Sequence, residues 1–221
     1  MNDVTAVSVN FRTPKWFETS VTTFMACYPD KPFIWIDNGG CDRSAKLIRD
    51  RAAGVPNVQA VLNTRNIGHG PALHQAAHMA DTRFLFTLDS DTETRKCGFL
   101  ERMLELFLQD EDLFAVGWLR WVNHNGVAHP KRTKHHSNVY IHPYAALYDL
   151  EKYHTLPPFA HRGAPAIEPM LAAAQEGYHF EDFPIQEYIW HRKSGTRGWF
   201  GGSWNPGTNR RKDANWNPRR I

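Results

Sequence analysis

The feature that most constrains the fold is the alternation, in the first half of the chain, of short apolar runs with stretches of helical periodicity. The apolar runs lie at residues 5–10, 32–37, 58–62 and 83–88. The helical stretches lie at residues 16–28, 70–80 and 99–108. Because strands joined by helices of this length form right-handed crossovers, the pattern predicts an α/β fold with a mainly parallel central sheet flanked by helices.

Polar side chains follow each of the predicted strands where it ends. They are Asn10 and Arg12 after the first strand, Asp37 after the second, residues 63–66 after the third, and Asp89 and Asp91 after the fourth. In open α/β sheets, ligands bind beyond the carboxyl ends of the strands. The sequence therefore predicts a ligand site at this rim of the sheet.

The second half of the chain is less regular. Strands are predicted at residues 114–118 and 139–148, with a polar, His- and Lys-rich loop at 119–138 between them and a helix at 167–176. A chain of 221 residues suits one sizeable domain. We therefore predict a single domain over residues 1–205 and a basic tail over residues 206–221, where no periodicity is found.

Charge and cysteine content exclude several classes of protein. The net charge of +3 is only mildly basic, so no nucleic-acid partner is expected. Cys27, Cys41 and Cys97 are odd in number and lack CxxC spacing, which predicts unpaired thiols in a reducing compartment. No apolar run approaches the roughly 20 residues that a bilayer-spanning helix needs. The expectation is a soluble, cytoplasmic protein.

The strongest local motif is the pair of carboxylates at Asp89 and Asp91, directly after an apolar strand. Mg2+ and Mn2+ are typically bound by one or two carboxylates together with phosphate oxygens of a substrate, and Ser90 is small enough to let a diphosphate approach. The motif therefore predicts a divalent-cation site. The alternative is a polar turn in which the two aspartates cap the next helix.

Four segments of the chain together resemble the inverting glycosyltransferases of family 2. They are residues 7–11 (VSVNF), 36–44 (IDNGGCDRS), 63–73 (NTRNIGHGPAL) and 88–91 (LDSD), in the order that the family has them. Two departures are Gly40 in place of a usual Ser and His74 in place of a usual Asn. The resemblance implies the GT-A nucleotide-diphospho-sugar transferase fold, with a nucleotide-binding half at residues 1–110 and an acceptor-binding half at residues 111–205.

The resemblance also implies a set of donor-binding residues. Asn10, Arg12 and Asp37 would contact the donor at the strand ends, and Asp37 would accept a hydrogen bond from the imide N–H of uracil or thymine. Arg65 would lie over the base or near the diphosphate. The alternatives are a helix-capping carboxylate for Asp37 and an exposed surface charge for Arg65. At the metal motif, Asp89 would contact the ribose, the ion or a metal-bound water, and Asp91 would ligate Mn2+ or Mg2+ directly.

Residues 188–191 (YIWH), followed by residues 194–196 (SGT), resemble the strand-then-histidine segment of the family. The resemblance implies that His191 reaches the metal or the diphosphate, and a neutral imidazole is a reasonable Mn2+ ligand. The alternative is a structural histidine.

A catalytic base is also required, because inverting transfer needs a carboxylate that takes the proton of the acceptor hydroxyl. Glu168 is the first candidate, and Asp182 and Glu181 are rivals. The family often has an Asp where this chain has Ala166, which leaves the base open. The alternative role of Glu168 is to complement the dipole of the helix that it begins.

These features predict a metal-dependent glycosyltransferase that moves a sugar from a UDP- or dTDP-sugar to a hydroxyl of a glycan or lipid-linked acceptor, with inversion. The loop at 119–138 and the tail are candidates for recognising an anionic acceptor or for peripheral contact with an anionic membrane. One alternative is a non-catalytic nucleotide-sugar or glycan-binding module on the same fold. The other is a related nucleotidyltransferase, although residues 10–14 are not the Gly-rich phosphate loop expected there.

Overall fold

The structure of the protein, a computed structural model, describes residues 3–39, 42–123, 126–129, 131–160 and 164–192. The predicted basic tail at 206–221 and the segment at 194–196 lie outside these residues, as do Gly40 and Cys41.

The described residues form an α/β structure. Its strands are β1 (Val4–Asn10), β2 (Phe33–Asn38), β3 (Val58–Asn63), β4 (Phe84–Leu88), β5 (Thr92–Thr94), β6 (Leu113–Val122), β7 (Ala128–His129), β8 (Asn138–Asp149), β9 (His179–Asp182) and β10 (Ile189–His191). Its helices are α1 (Pro14–Cys27), α2 (Asp42–Ala52), α3 (His69–Met79), α4 (Phe99–Gln109), α5 (Leu150–Tyr153) and α6 (Ile167–Gln175), with a 3-10 turn at Ile185–Glu187. None of the described helices is both long and apolar enough to cross a lipid bilayer.

The central sheet is mixed, with a parallel first half. Its strands follow the order β3-β2-β1-β4-β8-β6-β7, and β9 also pairs with β6. The strands from β1 to β4 are parallel, as predicted, because α1, α2 and α3 provide the crossovers. β8 pairs antiparallel with both β4 and β6, so β6 runs in the same direction as β4. The carboxyl ends of β1 to β4 and of β6 therefore face one rim.

Helices cover both faces of the sheet. α1, α2 and α4 pack on one face around Phe24 and Phe99, and α3, α5 and α6 pack on the other with Leu73, Tyr153 and Met170. Every residue of β2 and of β4 is buried. Burial on both faces explains why these strands are continuous apolar runs in the sequence rather than alternating ones.

The predicted loop at 119–138 is partly wrong. β6 continues to Val122, which is fully buried, and β7 pairs back onto its end. Val122 packs in the same cluster as Tyr140 of β8, so its burial extends the strand beyond the apolar run that the sequence displays. The long connection between β6 and β8 is thereby reduced to residues 123–137, part of which is β7.

The expectation of unpaired cysteines is wrong, because Cys27 and Cys97 form a disulfide. The bond joins the end of α1 to the residue before the Gly98 N-cap of α4, with 5.2 Å between the two Cα atoms. Seventy residues separate the two cysteines, so no short spacing in the sequence signals the pair. The inference of a reducing compartment rested on unpaired thiols and loses that basis.

Tyr28 reinforces the same junction. Its hydroxyl accepts hydrogen bonds from the backbone N–H groups of Gly98 (2.9 Å) and Leu100 (3.1 Å), two of the otherwise unpaired donors at the start of α4. Burial, the largest cause, raises the pKa of Tyr28 to about 12, so the phenol stays neutral. The hydroxyl also donates to Glu101 Oε2 (3.3 Å), so the start of α4 is tied to the end of α1 by one covalent bond and three hydrogen bonds.

We expect replacement of both Cys27 and Cys97 by Ser to lower the free energy of unfolding by about 2–4 kcal/mol, because the disulfide closes a long loop and restricts the unfolded chain. Urea unfolding of the wild type and of the double variant under non-reducing conditions measures the difference. Cys41→Ser is the matched control and should leave the midpoint unchanged. Equal midpoints for all three proteins would contradict the disulfide.

Candidate functional site

The polar residues that follow the strands meet at one rim, as predicted. Asn10 at the end of β1 lies opposite Asp37 on β2, and Asn38 lies opposite Asn63 on β3. Asp89 follows β4 directly, and its backbone N–H donates a hydrogen bond to the carbonyl of Tyr144 on β8 (2.8 Å). The sheet therefore brings residues from the whole first half of the chain to one edge.

Asp37 is held in place by a buried network. The side-chain amide of Asn10 donates to Asp37 Oδ1 (2.9 Å), and the hydroxyl of Ser44 on α2 donates to the same oxygen (2.6 Å). Asn10 also contacts Ser44 and accepts hydrogen bonds from the N–H and the hydroxyl of Thr13 (3.2 and 3.1 Å). Asn10 is completely buried. Its side chain thus binds protein groups and fixes the Asp37 carboxylate at the strand end.

A second network shapes the loop after β3. Asn38 donates to the side-chain oxygen of Asn66 (3.1 Å) and to the carbonyl of Gly68 (3.1 Å), and it accepts from Asn63 (3.2 Å). Gly39, at φ +69°, lies directly under the backbone of Arg65, which a Cβ atom at this position would overlap. The loop therefore covers the end of β2, with the side chain of Arg65 exposed.

Three potential metal ligands converge next to this rim. One ligand atom each from Asp89, Asp91 and His191 lies within 4.8 Å of the others. His191 Nε2 is 3.2 Å from Asp91 Oδ1 and 3.8 Å from Asp89 Oδ2. Asp91 is only 7% exposed, so its carboxylate faces this group rather than bulk solvent.

His191 reaches the two aspartates through the pairing of β5 with β10. β5 begins one residue after Asp91, and its Thr92 lies opposite His191 in an antiparallel ribbon. The backbone N–H of Arg192 closes the ribbon by donating to the carbonyl of Asp91 (3.0 Å). Because the segment after Asp91 is a strand and α4 begins only at Phe99, the alternative that both aspartates cap the next helix is wrong.

Tyr144 forms one wall of the group. Its ring stacks on that of His191, with 4.8 Å between the centroids and 14° between the planes. Its hydroxyl is buried and has no hydrogen-bond partner among the described residues. Burial, followed by the negative charge of Asp89, raises the pKa of Tyr144, so the phenol remains a neutral support for the imidazole.

His69 is a member of the site that the sequence analysis missed. It is the first residue of α3, and its Nε2 lies 3.5 Å from Asp89 Oδ1. The sequence predicts residues 63–66 at the rim because they follow a strand, and the family resemblance covers residues 63–73, but neither singles out His69. No local pattern in the sequence distinguishes this histidine from one with a structural role.

The ligand set fits a hard or borderline divalent cation. Two carboxylates and one imidazole suit Mn2+ and also Mg2+, and both ions commonly complete their coordination with water or phosphate oxygens. A strand–Asp–x–Asp–strand arrangement at the carboxyl edge of an α/β sheet can therefore hold a cation where a diphosphate would lie.

Comparison with known proteins agrees with this geometry. The sequence profile described as Glycosyl transferase family 2 matches residues 9–165, which is most of the chain. The chain belongs to glycosyl transferase family 2. The match includes the rim from Asn10 to Asp91 and ends before Glu168 and His191. No curated protein matches the chain.

Solved structures of other proteins share the fold. The mannosyltransferase PcManGT from Pyrobaculum calidifontis, in complex with GDP-Man and Mn2+, is 17% identical, with a TM-score of 0.66 over 82% of this chain and 55% of that one. S. aureus TarS 1–349 is 12% identical, with a TM-score of 0.57 over 84% of this chain and 59% of that one. The predicted family and GT-A fold are confirmed. The chain spans little more than half the length of these two structures.

The remaining candidate residues are spread more widely. Arg12 follows β1 with a left-handed backbone (φ +59°), and its guanidinium lies 5.2 Å from the ring centroid of Phe11. Glu168 lies in the first turn of α6, and its Oε2 is buried without a hydrogen-bond partner among the described residues. Asp182 is exposed at the end of β9 and accepts a hydrogen bond from the backbone N–H of Leu119 (2.9 Å). Glu181 is also exposed.

We expect Asn10→Ala to lower the free energy of unfolding by about 1–3 kcal/mol, because it removes a donor to the buried carboxylate of Asp37. Urea unfolding measures the change. Gln59→Ala, on an exposed position of β3, is the control and should stay within about 0.5 kcal/mol of the wild type. If the two variants lost equal stability, the buried network would not hold Asp37 as described.

Proposed function

We propose that the protein transfers a sugar from a nucleoside-diphosphate sugar to an acceptor hydroxyl, with inversion at the sugar carbon and with a divalent cation held by Asp89, Asp91 and His191. The convergence of these three side chains at the carboxyl edge of the sheet carries the proposal. Membership of glycosyl transferase family 2 supports the reaction class.

On the donor side, Asp37 would read the base. A buried carboxylate fixed by Asn10 and Ser44 is positioned to accept a hydrogen bond from a base N–H, which uracil, thymine and guanine all carry. UDP- and dTDP-sugars are the donors that the sequence favours, and PcManGT, which binds GDP-Man, adds GDP-sugars to the set to be tested. Arg65 would cover the base or the diphosphate from the adjacent loop. Asn10 would act through Asp37 rather than by direct contact.

At the reacting centre, the bound cation would neutralise charge on the departing diphosphate. Asp91 and His191 would hold it from the β5–β10 ribbon, and Asp89 from the end of β4. His69, on the other side of Asp89, would donate a hydrogen bond to a diphosphate oxygen. Arg12, at the end of β1, is a further candidate to bind the negatively charged diphosphate.

Glu168 is the favoured catalytic base. A buried carboxylate oxygen that has no hydrogen-bond partner among the described residues is costly to leave unsatisfied, which favours a role in which it receives a proton or a ligand group. Asp182 has a weaker claim because its carboxylate already binds the backbone of Leu119 and is open to solvent. Glu168 would take the proton of the acceptor hydroxyl as that oxygen attacks the sugar carbon.

On the acceptor side, a row of rings extends from the metal group. Trp118 of β6 stacks on His142 of β8 (5.9 Å between centroids), and His142 in turn contacts Tyr144 (5.4 Å). Arg120 lies 4.5 Å above the ring of Trp118. Aromatic surfaces with few polar groups are typical of ligand sites, and the half-buried rings of Trp118 and His142 would pack against a pyranose while Arg120 would bind an anionic group. This supports a glycan or lipid-linked acceptor.

A melting-temperature panel tests the donor and the cation together. UDP-, dTDP- and GDP-sugars are added to the wild type with and without Mn2+, and binding to the folded state raises the melting temperature by mass action. We expect a shift that requires Mn2+ for one nucleotide class. Asp91→Asn and His191→Ala should abolish the part of the shift that depends on Mn2+.

Asp81→Asn is the matched control, because Asp81 is exposed just before β4, at the opposite edge of the sheet. It should behave like the wild type. A Mn2+-dependent shift that survives in both site variants would remove these residues from the metal site. Release of nucleoside diphosphate from the donor without added acceptor distinguishes an enzyme from a binding module, which would release none.

We expect Glu168→Gln to lower kcat by roughly 10²–10⁴-fold while leaving the Mn2+-dependent donor shift unchanged, because a general base acts only in the chemical step. Asp182→Asn is the comparison, and it should retain most of the activity. Steady-state transfer with the donor and an acceptor found by screening provides the measurement. If Asp182→Asn lowered kcat more than Glu168→Gln did, Asp182 would be the catalytic base instead.

A further inference from the structure

Three histidines meet on the helical face of the sheet that carries α3 and α5, away from the rim. His74 and His78 lie one turn apart on α3, and His154 is the C-cap residue of α5. We call His74, His78 and His154 the histidine cluster. The site described above uses none of them, and His74 is one of the two departures from the family pattern.

Two neighbouring pairs of rings in the histidine cluster have the centroid separations that two ligands of one ion would have. The centroids of His74 and His78 are 4.4 Å apart, and those of His78 and His154 are 5.0 Å apart. Zn2+ binds imidazole nitrogen at about 2.0–2.1 Å, so two rings on one tetrahedral ion have centroids about 5 Å apart. Two histidines four residues apart on a helix are also a known metal-binding spacing, because both rings project from one face.

The ring of His74 is already oriented by a buried partner. Its Nδ1 lies 2.8 Å from the hydroxyl of Tyr153, and that hydroxyl accepts a hydrogen bond from the backbone N–H of Phe159 (2.9 Å). Tyr153 is held by stacking on Phe159, with 4.4 Å between the centroids. Metal-bound histidines typically use their second ring nitrogen in this way. In the tautomer that donates from Nδ1 to the Tyr153 hydroxyl, Nε2 of His74 is the nitrogen available to an ion.

The charge state of the histidine cluster also suits a metal ion. Burial, then the neighbouring His78 and His154, lowers the pKa of His74. Burial, then His78, lowers the pKa of His154. Near neutral pH both imidazoles are therefore unprotonated, which is the form that binds metals. His78 and His154 are exposed, so their side chains can rotate to direct a nitrogen at a shared ion while His74 stays fixed.

We infer that His74, His78 and His154 bind a transition-metal ion of the Zn2+ class and thereby join α3 to α5. Imidazole ligands favour Zn2+, Ni2+ and Cu2+, whereas the two carboxylates of Asp89 and Asp91 also suit Mn2+ and Mg2+. The two sites therefore differ in the ions they select. The inference does not depend on the proposed glycosyl transfer.

Calorimetric titration of untagged protein with Zn2+ tests the inference. Because Zn2+ would also enter the carboxylate site, the titration is made in an Asp91→Asn, His191→Ala background, with and without His78→Ala and His154→Ala. We expect Zn2+ binding to weaken by at least about tenfold when the two cluster histidines are removed. In the otherwise wild-type chain, the same two changes should leave the Mn2+-dependent donor shift intact.

His179→Ala is the matched control, since His179 is exposed and paired with Asp110 outside the histidine cluster. It should leave Zn2+ binding unchanged. Equal Zn2+ affinity with and without the cluster histidines, or no Zn2+ binding in the Asp91→Asn, His191→Ala background, would overturn the inference. If the double alanine change alters the circular dichroism spectrum and so disturbs the fold, the titration is repeated with His78→Gln, which preserves size and polarity.

Discussion

The position of β4 in the middle of the sheet is the constraint on which the site depends. Its five residues are buried, and it pairs in parallel with β1 on one side and antiparallel with β8 on the other. Thr87 adds a hydrogen bond from its hydroxyl to the carbonyl of Pro143 (2.7 Å). An apolar strand fixed on both sides leaves Asp89 little freedom. The core thus holds in place the first carboxylate of the candidate metal group.

The parts of the structure that follow from local patterns were predictable from the sequence, and the parts that need distant segments to meet were not. β1 to β4 are buried on both faces, so each appears as an apolar run, and their carboxyl ends had to share a rim. By contrast, the Cys27–Cys97 disulfide and the antiparallel direction of β8 depend on how helices and strands pack. His69 was missed because a histidine at the start of a helix has no distinctive local pattern. His191 was found only because a resemblance linked it to a segment 100 residues away.

The rim also shows why a residue can be important at a site without touching its ligand. Ionised carboxylates are expensive to bury unless they receive hydrogen bonds, and Asp37 is 2% exposed. Asn10 and Ser44 supply those bonds from two different elements, which ties the end of β1 and the start of α2 to the same oxygen. The sequence predicts Asn10 as a donor-binding residue, whereas its hydrogen bonds to protein groups favour a positioning role. The same hydrogen bonds therefore stabilise the fold at the end of β1 and hold the Asp37 carboxylate in position.

The candidate metal ligands come from two separate regions of the chain. Asp89 and Asp91 lie in the segment that matches the family, whereas His191 and Glu168 lie beyond it. The β5–β10 ribbon joins these regions, because β5 continues directly from Asp91 and β10 ends at His191. Tyr144, whose backbone binds Asp89 and whose ring stacks on His191, links the same two groups through β8. β8 therefore contacts both Asp89 and His191 through one residue, Tyr144, so the position of this strand constrains the separation of the two side chains.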